Sequence, residues 1–358
     1  MDLGACQRIA VLRALQLGDM LCVVPALRAI RSAAPRARIT LIGLSWAASF
    51  ARRFARYIDD ALLFPGFPGF PEQPVGLRAI PGFITAAQER RFDLVLQMHG
   101  SGTLSNPLAA ALGATNTAGF YLPGQYCPDR QTFLPWDERE NEILRYLRLA
   151  ASLGAQAREA HLEFPLLGAD RESLRQCAGT LPSRGAYACI HPGARSPSRR
   201  WLPQRFAEVA DRLAAGGLRI VLTGTAQESA ITGAVRDCMK APALDLTGRT
   251  GLGALAALIA DARLLVCNDT GVSHIAAAFA TPSVVICCGA DPVRWAPLDR
   301  QRHRVLGATV ACRPCMHADC PLDGHPCAAG VSSDQAWNMA AALLEQGTGD
   351  RFSVGPDR

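Results

Sequence analysis

No apolar run in this sequence stays unbroken for long. The N-terminal stretch MDLGACQRIAVLRALQLGDMLCVVPALRAI is rich in Leu, Val and Ala, yet Arg8, Arg13, Asp19 and Arg28 interrupt it. It offers neither a signal-peptide core nor a membrane span. A cytoplasmic chain is expected, with any membrane contact peripheral to the inner membrane surface. Lysine is nearly missing: Lys240 is the one lysine, and arginine fills every other basic position. Arginine favours planar, bidentate contacts with phosphate or carboxylate. A large excess of either charge is lacking as well. The net charge of +6 and a pI near 8.8 suit anionic ligands without demanding nucleic acid. A disulfide framework is also unexpected. The 13 cysteines are odd in number, and Cys22, Cys189, Cys267, Cys287 and Cys288 lie inside apolar runs, as in a reducing compartment.

What is present is a globular composition, 49% hydrophobic over 358 residues, enough for two domains of ordinary size. Short β-like runs at 8–13, 39–43, 61–64, 93–98 and 116–120 alternate with helical patterns near 19–33, 45–56, 77–90 and 137–152. The pattern then repeats. Runs at 186–191, 218–222, 243–246, 264–267 and 283–288 alternate with helices near 203–215, 226–239, 252–260, 271–280 and 332–345. Alternating βα units require parallel sheets covered on both faces, so the expectation is an α/β chain of two doubly wound, Rossmann-like domains facing a cleft. The division is placed at 1–165 and 166–346, with a frayed tail over 347–358. The stretch FPGFPGFPEQPVG at 64–76 is too rich in proline and glycine for a helix or central strand and is expected to be a mobile loop.

Chemistry concentrates where strands hand over to helices. Leu17-Gly18-Asp19 lies between the first strand and the first helix. Asp19 either caps that helix or accepts a proton from an attacking hydroxyl, with Gly18 allowing close backbone approach. The run CIHPGARSPSRRWLPQRFA ends a strand at His191 and continues through Gly193, Arg195, Arg199 and Arg200 to a helix opened by Pro203. Its arginines form either a solvated face or a site that neutralises a diphosphate. RIVLTGTAQESAI ends a strand at Thr223-Gly224 and enters a helix through Glu228, which either reads a nucleotide ribose or base or serves as a first-turn charge. In LLVCNDTGVSHIAAAFATPSVVIC, the cluster Asp269, Thr270, Gly271, Ser273 and His274 sits at a helix N-terminus, where free N–H groups and the helix dipole attract anions.

The ordered set of Gly18-Asp19 and Pro25, then His191-Pro192-Gly193-Ala194 with an arginine pair before Trp201, then Asn268-Asp269-Thr270-Gly271-Val272-Ser273-His274 resembles glycosyltransferase family 9, the ADP-heptose:lipopolysaccharide heptosyltransferases. The likeness spans roughly residues 8 to 346. It implies a GT-B fold with an N-terminal acceptor domain and a C-terminal nucleotide-sugar domain, and an inverting transfer that requires no metal. It implies Asp19 as base or positioning carboxylate, Arg199 on the donor phosphates, and Asp269, Thr270, Gly271 and His274 around the diphosphate.

Two further stretches stand apart. Cys312, Cys315, Cys320 and Cys327 are spaced C-x2-C-x4-C-x6-C, with His317 and His325 nearby. Four such ligands are able to hold a structural zinc; the stretch also resembles the cysteine loop of the heptosyltransferase II branch. In WAASFARRFARY, Trp46, Phe50, Phe54 and Tyr57 fall on one helical stripe that is expected to dock on the core. Arg52, Arg53 and Arg56 beside it are candidates for acidic sugars or lipid phosphates of an anionic glycolipid acceptor. The reading is a metal-independent transferase moving heptose from ADP-heptose to a hydroxyl of a lipopolysaccharide inner core. Alternatives are another nucleotide sugar or acceptor, a catalytically silent sugar-nucleotide binder, and a zinc-bearing nucleic-acid binder.

Overall fold

The computed structural model describes residues 2–349 and divides between Pro165 and Leu166 into two compact units. The first holds a six-stranded parallel sheet of β1 (Arg8–Leu12), β2 (Arg38–Gly43), β3 (Asp60–Leu63), β4 (Leu94–Gln97), β5 (Asn116–Tyr121) and β6 (Phe133–Pro135), in the order β3-β2-β1-β4-β5-β6. Val11 pairs with Leu41 on one side and Leu96 on the other. Because helices cover both faces, central strands such as β1 are apolar along nearly their whole length rather than alternating.

The second unit repeats the plan with β7 (Tyr187–His191), β8 (Arg219–Leu222), β9 (Ala243–Asp245), β10 (Leu264–Asn268), β11 (Ser283–Ile286) and β12 (His303–Leu306), in the order β12-β11-β10-β7-β8-β9. His191 and Val285 flank Cys267 in register. In each sheet the chain winds outward in opposite directions from two adjacent strands, β1 with β4 and β7 with β10. Ligands of open α/β sheets bind outside the carboxyl ends of such a pair.

Each sheet has its own core. Leu12, Ile42, Phe64, Phe70, Phe83 and Leu108 pack in the first unit, and Trp201, Phe206, Ile220, Val266, Ile286 and Leu343 in the second. Each such side chain contributes about 1.5–3 kcal/mol on burial. The 64–76 segment forms no strand or helix, but its phenylalanines anchor it. Phe64 and Phe70 are buried, their rings 5.5 Å apart, and Gln73 Nε2 donates to the Phe64 carbonyl at 2.7 Å. Gly66 and Gly69 take φ of +82° and +87°, which side chains with a Cβ avoid.

Several elements go beyond the sequence reading. β6 and β12 are short edge strands, and the helix Gly168–Ala178 buries only Asp170, Leu174 and Ala178, too few apolar positions to leave a period. The first helix, Leu17–Ala33, starts two residues earlier than expected. The last runs Ser333–Gly349, and the remainder of the expected tail lies outside the described residues. Among the described residues no helix is long and apolar enough to cross a membrane.

Candidate functional site

In the second unit, β10 ends at Asn268 and the helix Gly271–Ala278 begins three residues later. Thr270 is its N-cap in an extended conformation, and the Thr270 side chain makes no cap bond to the first turn. Thr270 and Gly271 are partly exposed at the positive end of the helix dipole, which favours anions. Not every residue of the cluster faces that point. Ser273, fully buried, donates its hydroxyl to the Thr270 carbonyl at 2.8 Å and so serves the turn rather than a ligand. Asp269 and His274 are buried, and the Asp269 N–H donates to the Ile286 carbonyl at 2.9 Å.

Asn268 joins this junction to the arginine loop. Its Oδ1 accepts from the Trp201 N–H at 2.9 Å, and its Nδ2 donates to the Pro192 carbonyl at 2.7 Å. The side chain is wholly buried, so these bonds are sheltered from water. Trp201, also buried, donates its indole N–H to the Val331 carbonyl and meets Phe206 edge-on. The intervening turn Pro197–Arg199 leaves Arg195 exposed and Arg199 and Arg200 half-buried. Arg200 is partly engaged, its Nε donating to the Ala194 carbonyl at 2.9 Å. Burial and then Asp269 push the Cys287 thiol well above its ordinary value, while Arg313 and Arg199 pull the other way. Arg199 thus acts electrostatically on the same corner as Asp269.

Beside it, His191 at the end of β7 meets Thr223 Oγ1 through Nδ1 at 3.0 Å and lies 4.0 Å from Glu228 Oε2. Burial lowers the His191 pKa, and Glu228 opposes that shift. Glu228 closes a capping box, accepting from the Thr225 N–H at 2.8 Å and from Thr225 Oγ1 at 3.0 Å. Its carboxyl also covers Gly193, where a Cβ would collide with it. Gly224 follows Thr223 at the end of β8, and its carbonyl accepts from the Gly248 N–H at 2.8 Å. The structure therefore gathers Gly193, Thr223, Gly224 and Glu228 at the strand ends, as the sequence suggested.

In the first unit, Asp19 lies in the first turn of Leu17–Ala33, whose N-cap is Gln16. The helix-cap reading of Asp19 is thereby replaced by a first-turn position, half-exposed, with Gly18 before it. Its backbone carbonyl accepts from Nε and Nη2 of Arg13, at 3.0 and 2.6 Å. Arg13 is fully buried, stacks 4.3 Å over the Tyr146 ring and pairs with Glu142, which also binds Arg145. Burial lowers the Arg13 pKa, but Tyr146, Glu142 and Asp19 raise it further, so the guanidinium keeps its charge. A buried arginine at the end of an apolar strand is the sequence signal for this brace.

Two expected groups are rearranged. Phe50, Phe54 and Tyr57 are buried, and Phe50 stacks on Phe54 at 4.3 Å, as a core-docked stripe requires. Arg53, however, donates to the Pro165 carbonyl at 2.7 Å and covers the Phe164 ring, while Arg52 and Arg56 are exposed. The four cysteines do not form a metal site: among the described residues no three or more His, Cys, Asp or Glu are grouped to hold an ion. Cys327 is buried in the core that also holds Cys288, while Cys312 is exposed. The loop instead supports the arginine turn. Ser198 Oγ donates to the His317 carbonyl at 2.5 Å, and His325 Nε2 meets the Ser198 carbonyl at 2.8 Å.

Residues 83–325 match the family model for glycosyltransferase family 9 (heptosyltransferase). The chain is 27% identical to lipopolysaccharide heptosyltransferase 2 of Salmonella typhimurium, covering 82% of this chain and 86% of that protein. It is 26% identical to lipopolysaccharide heptosyltransferase 2 of Escherichia coli, covering 95% and 99%. The solved structure of E. coli ADP-heptose lipopolysaccharide heptosyltransferase II superposes with a TM-score of 0.74 at 20% identity, covering 96% and 100%.

Proposed function

The chain belongs to glycosyltransferase family 9 and is a glycosyltransferase, and we propose that it transfers heptose from ADP-heptose to a hydroxyl of a lipopolysaccharide inner-core acceptor, inverting the anomeric centre without a metal ion. In this reading, Asp19 takes the proton of the attacking hydroxyl as its oxygen bonds to the anomeric carbon from the face opposite the diphosphate. The bond to the diphosphate breaks and ADP departs. The N-terminus of Gly271–Ala278, with Thr270, Gly271 and Arg199, meets the charge that grows on the leaving group, and Arg195 lies in the same loop. Asp269 and His274 shape the corner from within, Gly193 and Gly224 let the donor approach backbone, and Thr223 and Glu228 stand where the nucleoside would be read. Arg52 and Arg56 are the acceptor-side cations, at the inner membrane surface of the cytoplasm.

The observation that supports this most is a pair of strand junctions: Asp19 in the first helical turn after β1, its main-chain carbonyl braced by Arg13, and a helix start beside an arginine turn at the ends of β7 and β10. The heptosyltransferase names of two relatives point the donor reading the same way. The test is calorimetric titration with ADP, UDP, GDP and CDP in EDTA, followed by turnover of ADP-heptose with the product's anomeric configuration read by NMR. Selective ADP binding and an inverted product are expected. Preference for another nucleotide would discard the heptose, tight binding without turnover would indicate a silent binder, and no nucleotide binding would reject the donor site.

A further inference from the structure

The mechanism above gives no part to the loop that carries the four cysteines, residues 312–327. That loop is tied to the ends of both strands that flank β10. On the β11 side, Arg313 Nη1 donates to the Cys287 carbonyl at 3.0 Å and the Cys315 N–H to the Gly289 carbonyl at 2.8 Å. On the β7 side, the loop takes hold of Ser198, the middle residue of the arginine turn. The Ser198 N–H donates to the Ala318 carbonyl at 3.0 Å, its Oγ donates to the His317 carbonyl, and its own carbonyl accepts from His325 Nε2 at 2.8 Å. A carbonyl only accepts, so His325 carries a proton on Nε2. A Cβ on Gly289 would lie 3.1 Å from Cys315 Sγ and 3.6 Å from the Ser198 carbonyl oxygen. Strand end, loop and turn therefore meet at one point.

Ser198 is 3% exposed, and its N–H, hydroxyl and carbonyl are all engaged by the loop, in surroundings that strengthen hydrogen bonds. The next residue is Arg199. Within the turn, the Arg199 N–H donates to the Ser196 carbonyl at 2.9 Å and the Arg200 N–H to the Pro197 carbonyl at 3.0 Å. These local bonds hold the shape of the turn; its direction has to come from outside. His325 is itself anchored. Its backbone is left-handed, with φ of +46°, and its carbonyl accepts from the Ala328 and Ala329 N–H groups at 3.0 and 2.9 Å. A histidine held in that conformation is over-determined by its surroundings. Fixing a phosphate-binding turn in advance removes the loss of affinity that ordering it on binding would bring.

We propose that His325 is a positioning residue for the donor: through Ser198 it aims the arginine turn so that Arg199 meets the diphosphate, and the cysteine loop is the frame that carries it. This rests on the reading of Arg199 as a contact of the donor phosphates. His325 touches neither nucleotide nor sugar; it acts through the turn.

The test is calorimetric titration of the full chain with ADP and with adenosine, which lacks the phosphates, beside hydrogen exchange of the 196–201 backbone. His325→Asn tolerates the left-handed backbone but places no donor at the Nε2 position. It should weaken ADP about tenfold, leave adenosine unchanged and raise exchange at the turn. His325→Gln sets an amide N–H where Nε2 stood and should restore both ADP affinity and protection. Arg199→Ala should weaken ADP without raising exchange, and adding His325→Asn to it should weaken ADP no further, because both act through one contact. Should His325→Asn fail to fold, Ser198→Ala, which removes only the bond to the His317 carbonyl, carries the same expectations. An equal fall for adenosine and ADP, no rescue by glutamine, or additive losses in the double variant would overturn the proposal. Normal ADP binding and unchanged exchange in His325→Asn would keep the donor site and overturn the role of His325. ADP binding by no sample, with exchange raised in the asparagine variant and restored by glutamine, would reject the diphosphate reading and leave His325 as the residue that sets the turn.

Discussion

Asn268→Leu tests whether one buried amide holds together the corner where β7 and β10 end. The side chain is nearly isosteric, so little cavity opens, but the Trp201 N–H and the Pro192 carbonyl both lose their partner. Each orphaned buried group costs about 1–3 kcal/mol. With some return from the added apolar surface, the expected loss is about 3 kcal/mol, or roughly 6–12 °C in Tm for a unit of this size. Asn268→Asp keeps the acceptor for Trp201 but turns a donor to Pro192 into a repelling oxygen, so it should fall between the two. Urea denaturation followed by tryptophan fluorescence reports the change directly, because Trp201 is buried at the affected bond. ADP affinity should fall at least about tenfold in the leucine variant, since misplacing a positioning loop by a fraction of an ångström has effects of that order. A leucine variant that unfolds within 0.5 kcal/mol of the parent, roughly the scatter of a neutral surface change, would refute the reasoning and assign the loop register to other contacts.

Asp19→Asn should leave ADP affinity unchanged while lowering kcat by about 10²–10⁴-fold, the range for loss of a general base; a fall in ADP affinity with kcat preserved would remove it from the chemical step. Burial pushes His303 down to about 4, so it is neutral in the fold and takes a proton more readily when unfolded. Its contribution is complete above about pH 6.5 and is lost as the pH falls towards 4, to a limit of about 3 kcal/mol. Acid unfolding midpoints of native protein and His303→Gln should diverge in that window, and parallel curves would contradict the assignment. Cys327→Ser should destabilise by about 1–3 kcal/mol through a buried hydroxyl, whereas Cys312→Ser at the exposed end should be neutral. Equal losses in thermal melts, abolished alike by a chelator, would restore a shared metal.

The fold was legible because parallel strands buried on both faces leave compact apolar runs, as in β7 and β10, and because their turn residues recur at regular intervals. What escaped notice lacked such a signature. The helix Gly168–Ala178 is mostly polar on its surface, and β12 is a short edge strand whose pattern His-Arg-Val-Leu has no period. At the site, residue types were readable but not their employment. Ser273 and Arg53 belonged to plausible clusters, yet hydrogen bonds to the Thr270 carbonyl, three residues away, and to the distant Pro165 carbonyl engage them. The cysteine spacing permitted a metal, but spacing does not reveal that Cys327 is buried in the core while Cys312 is exposed. Asn268 shows the converse: its importance comes from partners distant in sequence.

The brace beneath Asp19 bears on how a pH–rate profile should be interpreted. Arg13 grips a main-chain carbonyl, and its guanidinium is held charged across all working conditions. Neither end of that bond changes protonation in weak acid. A proton arriving at the first turn of the helix therefore alters the reactivity of the Asp19 carboxyl without releasing the backbone that carries it. An acid limb in turnover, seen while ADP affinity and melting temperature stay level, would support the proposal that Asp19 is the base, because the backbone that carries it does not respond to the same protons.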